Sequence, residues 1–241
     1  MMRIFAKIDI KNDSVIKGIQ LEGLRKIGDP KEILSKYYKQ GCDEILLVDA
    51  VASYYDRNSL FELIEKFSKN IFVPVTVGGG IRNEKDIEKA LKSGADKVSI
   101  NSQFIKDKKF IKKACLDFGS STITSTIEAK LYNNSWYAYY ENGRENSGYL
   151  IEEWIDVLQD NGIGEIIINS VDKDGTLEGA DDRLLGFIAK KIKVPFVYSG
   201  GIKNLNHINK IKKYFTETDA IALSSALHYN HLNIPTVKKN I

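Results

Sequence analysis

The sequence predicts an α/β protein folded as a (β/α)8 TIM barrel assembled from two fused half-barrels. Three observations carry this. Eight short β-rich runs alternate with longer amphipathic stretches, the pattern of parallel βαβ units. A strand-glycine signature occurs twice, once in each half. The length of 241 residues suits one closed barrel domain over residues 1–241.

Taken in order, the strands are expected at 4–9, 44–49, 73–77, 97–100, 121–128, 165–170, 195–198 and 220–223. Helical patterns lie between them. Over 30–40, Asp29 can cap, Pro30 occupies the first turn and Gly41 stops the helix. A second helix over 84–92 is stopped by Ser93-Gly94. Residues 131–140 break the rhythm: Asn133-Asn134-Ser135 signals a turn, so a small hairpin follows the fifth strand. Its aromatics Trp136, Tyr137, Tyr139 and Tyr140 either cover the barrel mouth or pack the hairpin onto the barrel.

The repeat sets the two halves at about 1–119 and 120–241. Val73-Pro74-Val75-Thr76-Val77-Gly78-Gly79-Gly80-Ile81 recurs as Val194-Pro195-Phe196-Val197-Tyr198-Ser199-Gly200-Gly201-Ile202, displaced by 121 residues (194 − 73). Asn83 and Asn204 continue the match, and Gly41, Glu44 and Ile45 recur as Gly162, Glu165 and Ile166. Asp96 and Ser102 return as Asp219 and Ser225. An apolar strand running into glycines exposes backbone N–H groups to an anion. Two such sites, centred on Gly79, Gly80, Asn101 and Ser102 and on Ser199, Gly200, Gly201, Ser224 and Ser225, predict a small ligand with a phosphate at each end.

Barrels of this kind carry their chemistry at the C-terminal strand ends. Asp9 ends the first strand and Glu128 the fifth, on opposite sides of the mouth. Paired carboxylates divide acid and base work when their surroundings separate their proton affinities. In Asp172-Lys173-Asp174-Gly175-Thr176, Asp174 and Thr176 can bond ligand hydroxyls while Gly175 turns the chain; an ordinary Asp-Gly turn is the alternative. Lys17-Gly18 reads either as a basic lid over a phosphate or as a solvated loop.

Composition narrows the classes. Lys and Arg exceed Asp and Glu by only three charges, without a basic block, which argues against a nucleic-acid or membrane surface. Cys42 and Cys115 have no metal-ligand spacing and read as free thiols of a reducing compartment. The first residues lack the apolar stretch of a signal peptide, so a cytoplasmic location is expected.

Six motifs together, Val15-Ile16-Lys17-Gly18, Gly28-Asp29-Pro30, Val77-Gly78-Gly79-Gly80-Ile81, Gly94 to Asn101, Asp174-Gly175-Thr176 and Ser199-Gly200-Gly201, resemble the cyclase subunit of imidazole glycerol phosphate synthase nearly end to end. The resemblance implies a lyase that takes ammonia from a glutaminase partner. Its substrate is a doubly phosphorylated ribulosyl-formimino carboxamide nucleotide, which it converts to imidazole glycerol phosphate and aminoimidazole carboxamide ribotide. No metal or cofactor is implied. It further implies that Asp9 and Glu128 are catalytic, that Arg3, Glu44, Lys97 and Glu165 ring an ammonia entrance at the barrel bottom, and that Asp96 faces the partner. A stability layer is the other reading of the ring. Two departures stand out: the family's second catalytic aspartate is Glu128 here, and its Pro-Cys-Leu-Asp reads Ala6-Lys7-Ile8-Asp9. They raise two rivals, a paralogue aminating a nucleotide-linked or surface sugar and a non-catalytic phosphate-binding subunit, and the half-barrel scaffold adds a third, a sugar isomerase. An isomerase has no use for an ammonia entrance, so the retained ring speaks against it.

Overall fold

A computed structural model describes residues 2–52 and 59–241. The chain alternates strand and helix: β1 (Arg3–Lys11), β2 (Ser14–Ile19), β3 (Glu22–Gly28), α1 (Pro30–Lys39), β4 (Glu44–Asp49), α2 (Ser59–Phe67), β5 (Val75–Gly78), α3 (Glu84–Lys92), β6 (Lys97–Ile100), α4 (Ser102–Lys106), α5 (Lys108–Phe118), β7 (Ile123–Tyr132), β8 (Ser135–Tyr140), β9 (Glu145–Leu150), α6 (Ile151–Asp160), β10 (Glu165–Ser170), α7 (Asp182–Ile188), β11 (Phe196–Ser199), α8 (Leu205–Ile211), β12 (Ala220–Leu223), α9 (Ser225–His228) and α10 (Ile234–Lys238).

Eight of these strands, β1, β4, β5, β6, β7, β10, β11 and β12, pair in parallel around a closed ring. This is the (β/α)8 barrel that the alternation predicts. Outward-facing strand residues such as Ile4, Ile8, Ile45 and Leu47 meet helix residues such as Leu34, Ile87 and Trp154 in the main core. Inside the barrel lies a smaller apolar layer of Phe5, Leu46, Ile167, Val197, Ala220 and Ala222. Among the described residues, no helix is long and apolar enough to cross a membrane.

The internal repeat reappears in side-chain contacts. Asp96 accepts the N–H of Val75 at 2.8 Å, and Asp219 accepts that of Phe196 at 3.0 Å, so each fixes the start of an equivalent strand. Asn83 and Asn204 each cap the following helix by accepting an N–H three residues ahead.

Two additions lie on the barrel. β7 runs on past the barrel into an antiparallel sheet with β8 and β9, one strand more than the predicted hairpin. Its aromatics pack outward or inward against neighbours rather than roofing the mouth. Trp136 stacks on Phe187 with ring centroids 6.0 Å apart, and Tyr137 meets Tyr132 edge-on. The second addition, β2 with β3, folds back on β1 through an antiparallel pairing of Asp9 with Ile16. This replaces the predicted loop at Lys17-Gly18.

Candidate active site

Strand parity builds the mouth. Arg3, Phe5, Lys7 and Asp9 alternate along β1, which turns all four inward. Asp9 thus reaches the C-terminal end, where it is buried. β2 brings Lys17 alongside, its Nζ 3.1 Å from Asp9 Oδ2 and 2.6 Å from Asp174 Oδ1. Lys7 completes a ring of alternating charge. Its Nζ lies 3.7 Å from Asp9 Oδ1 and 3.5 Å from Asp174 Oδ2, and donates to Asn169 Oδ1 at 3.2 Å.

Lys17 is therefore neither a mobile lid nor a solvated loop residue. It is a buried strand residue whose charge is balanced by two carboxylates. Those contacts, with burial opposing them, keep its ammonium group protonated well above the usual lysine range.

Glu128 projects from β7 on the other side of the mouth and is reached by the N–H of Gly143 at 2.7 Å. Burial drives its pKa up to about 7, against the pull of the Gly143 N–H, Lys7 and Asn101. Asp9 goes the other way. Burial acts to raise it, but the ammonium groups of Lys7 and Lys17 together bring it below the ordinary aspartate value. One carboxylate is held ionised while the other is poised to carry a proton near neutrality, a division suited to acid–base work.

A cavity of about 180 Å³ opens between them, lined by Lys7, Asp9, Lys17, Gly79, Gly80, Asn101, Ser102, Glu128 and Asp174 among others. A smaller one of about 20 Å³ is lined by Lys17, Asp174, Gly175, Ser199, Gly200, Gly201, Ser224 and Ser225. The structure thus gathers the two predicted anion sites into two hollows whose linings share Lys17 and Asp174. Asn101 Oδ1 in the first, and the hydroxyls of Ser224 and Ser225 in the second, are buried and make no hydrogen bond. They are polar atoms left for a ligand. Thr176 is not brought in: its hydroxyl donates to the Lys173 carbonyl at 3.0 Å and stabilises the turn.

The glycines have a second reason beyond anion access. A Cβ on Gly79 (φ +92°) would lie 2.3 Å from the Asp49 carbonyl oxygen, and one on Gly201 (φ +78°) 2.0 Å from that of Gly179. The backbones touch there, so these positions are required by the fold itself.

At the opposite end, Arg3, Glu44, Lys97 and Glu165 form a second closed ring. Lys97 Nζ is 2.8 Å from Glu44 and 3.1 Å from Glu165; Arg3 is 2.7 Å from Glu165 and 3.7 Å from Glu44. The hydroxyl of Thr76 also donates to Glu44. Above it sits Phe5, with Arg3 5.1 Å and Lys97 5.8 Å from its ring centre. Asp96 stands exposed at this end.

Sequence reasoning missed Lys7, Asn169 and Gly143 as parts of the mouth. The signal for Lys7 was present: it sits two residues before Asp9 on one strand and must share its face.

The histidine biosynthesis protein model matches residues 3–233. Curated relatives named imidazole glycerol phosphate synthase subunit HisF include one from Legionella pneumophila, 41% identical over 86% of this chain and 99% of its own. Another, from Hydrogenobaculum sp. (strain Y04AAS1), is 40% identical over 98% of this chain and 94% of its own. A third, from Lactococcus lactis subsp. cremoris (strain MG1363), is 39% identical over 99% and 93%.

Proposed function

Because this chain belongs to the histidine biosynthesis protein family, we propose that it is the cyclase subunit of imidazole glycerol phosphate synthase, acting in histidine biosynthesis as one part of an enzyme complex. The observation that carries the reading is the pair of buried carboxylates in one mouth, Asp9 drawn below its ordinary value by Lys7 and Lys17 and Glu128 pushed up to about 7 by burial. In this reading Asp9 takes the proton released as ammonia adds to the substrate, and Glu128 gives one to the departing amine. Gly79, Gly80, Asn101 and Ser102 bind one phosphate; Ser199, Gly200, Gly201, Ser224 and Ser225 bind the other. Lys17 and Asp174 lie between the two.

The partner is a glutaminase docked at the end of the barrel that carries Asp96. Ammonia from it passes the ring of Arg3, Glu44, Lys97 and Glu165 and the apolar layer above. The paired subsites reflect an origin in two fused halves, 1–119 and 120–241, which the equivalent roles of Asp96 and Asp219 support.

The test is turnover of the doubly phosphorylated nucleotide with ammonium salt and no partner. The proposal expects imidazole glycerol phosphate from the parent and none from Asp9→Asn. Lys7 and Glu128 share this cavity, and both depart from the family pattern, which favours one second reading: ammonia transfer to a sugar acceptor. A folded parent that binds bisphosphates but leaves the nucleotide unchanged would favour that reading and sink the first.

A further inference from the structure

We propose that Lys7 is a positioning residue for the acid and base of this site: its ammonium group holds Asp9 and Asp174 in place and keeps Asp9 in its ionised form. The proposal rests on the reading of Asp9 as base and Glu128 as acid.

The argument begins with burial. Lys7 is 5% exposed at the floor of the mouth. A buried ammonium group is costly unless it is paired and hydrogen-bonded. Lys7 has three partners, Asp9, Asp174 and Asn169, at 3.7, 3.5 and 3.2 Å. Asp9 and Asp174 are each gripped by both lysines, one oxygen to Lys7 and the other to Lys17. With both oxygens engaged, neither carboxylate can rotate freely. Two ammonium groups and two carboxylates leave this square neutral. Without Lys7, two buried carboxylates would share Lys17 alone, and one proton would be drawn into the site.

The other groups that face the pair are accounted for. Asp9 meets Lys7 from its own strand, Lys17 from β2 and His228 from α9, while Asp174, from the turn after β10, reaches the same two lysines. His228 is neutral near pH 7, because burial presses its pKa down to about 4. Its Nδ1 is engaged by the Tyr37 hydroxyl at 2.6 Å. Glu128 meets Gly143, Asn101, Lys7 and Asp174. Lys7 favours the ionised form of both Asp9 and Glu128. Its removal must therefore move both in the same direction, upward.

The test compares the parent with Lys7→Met, Lys7→Arg and Lys7→Cys, the last restoring the family's usual residue. Carboxyl carbons are titrated by NMR, and kcat/KM on the nucleotide with ammonium salt is followed against pH. The expected result in Lys7→Met and Lys7→Cys is an Asp9 titration at least about one pH unit higher. Both limbs of the pH profile should move up with it, while Lys7→Arg keeps the parental positions. A profile lowered uniformly without moving, and tracking a fall in melting temperature, would overturn the proposal. So would Lys7→Arg behaving like Lys7→Met. If one neutral variant fails to fold, the other decides. The NMR titration needs no substrate. A parent inactive on the nucleotide would therefore count against the proposed function, while the titration alone would still decide the role of Lys7.

Discussion

Replacing Lys97 with Ala tests the ring at the barrel bottom by removing its most closely engaged cation. Lys97 contacts Glu44 at 2.8 Å and Glu165 at 3.1 Å. Glu165 keeps Arg3 at 2.7 Å, but Glu44 is left with Arg3 at 3.7 Å and the Thr76 hydroxyl. The ring passes from neutral to one net negative charge. The group that loses most is the Glu44 side chain, 3% exposed. Stranding a buried charge by deleting its partner costs about 3–5 kcal/mol. Lys97 is itself 18% exposed, so water can enter the gap, and the lower end, about 3 kcal/mol, is expected.

The deficit has a pH signature. Burial already raises the Glu44 carboxyl above its ordinary value, and Lys97 is the main group pulling it down. Without Lys97 it rises further. A carboxyl with a raised folded-state pKa favours the folded protein at low pH, and that advantage is lost as the pH climbs through the folded value. Urea unfolding should therefore show a larger deficit at pH 8 than at pH 5. Equal deficits at both pH values, or a loss under about 1 kcal/mol, would refute the reasoning. In turnover, glutamine with the partner should suffer more than ammonium salt. Equal losses in the two assays, following the melting temperature, would reduce the ring to a stability layer.

Further outcomes follow from the mouth. Asp9→Asn should abolish turnover while circular dichroism and cooperative unfolding are kept; near-parental turnover would remove Asp9 from the mechanism. Parental kcat/KM should fall as the pH rises through about 7, because Glu128 in the free enzyme then gives up its proton. Glu128→Asp should retain activity, and its complete loss would mean a pocket built around the longer acid. Ser225→Asp should weaken bisphosphate binding in calorimetry through like-charge repulsion; unchanged affinity in the folded variant would disprove the second anion subsite. A bulky residue at Gly201 is a poorer probe, since its Cβ would strike the Gly179 carbonyl at 2.0 Å and unfold the loop first.

The barrel was legible because its strands are short, apolar and regularly spaced. β4, β6, β10 and β12 fall on the expected residues. β5 and β11 begin just after Pro74 and Pro195, which have no N–H to give to the ladder. The β2–β3 hairpin was not legible. Its turn places Gln20 and Leu21 at φ +52° and +65°, without the Asn-Gly chemistry that announces such turns. Asp9 and Glu128 could be found from strand ends and the repeat. The burial of Lys17 could not, because Asp174, which helps neutralise it, is 157 residues away in the chain.

The apolar layer of Phe5, Leu46, Ile167, Val197, Ala220 and Ala222 makes the barrel separable as a machine. Charged rings lie on either side of it, and no charged side chain belongs to the layer. The groups that most shift Asp9 and Glu128 lie at the mouth, and those that most shift Glu44 lie at the base. Each face can then change under its own selection. The lower ring here is Arg3, Glu44, Lys97 and Glu165, while the upper face carries Lys7, Asp9, Lys17, Glu128 and Asp174. A new chemistry can be tried at the mouth of this barrel without renegotiating the fit at its base.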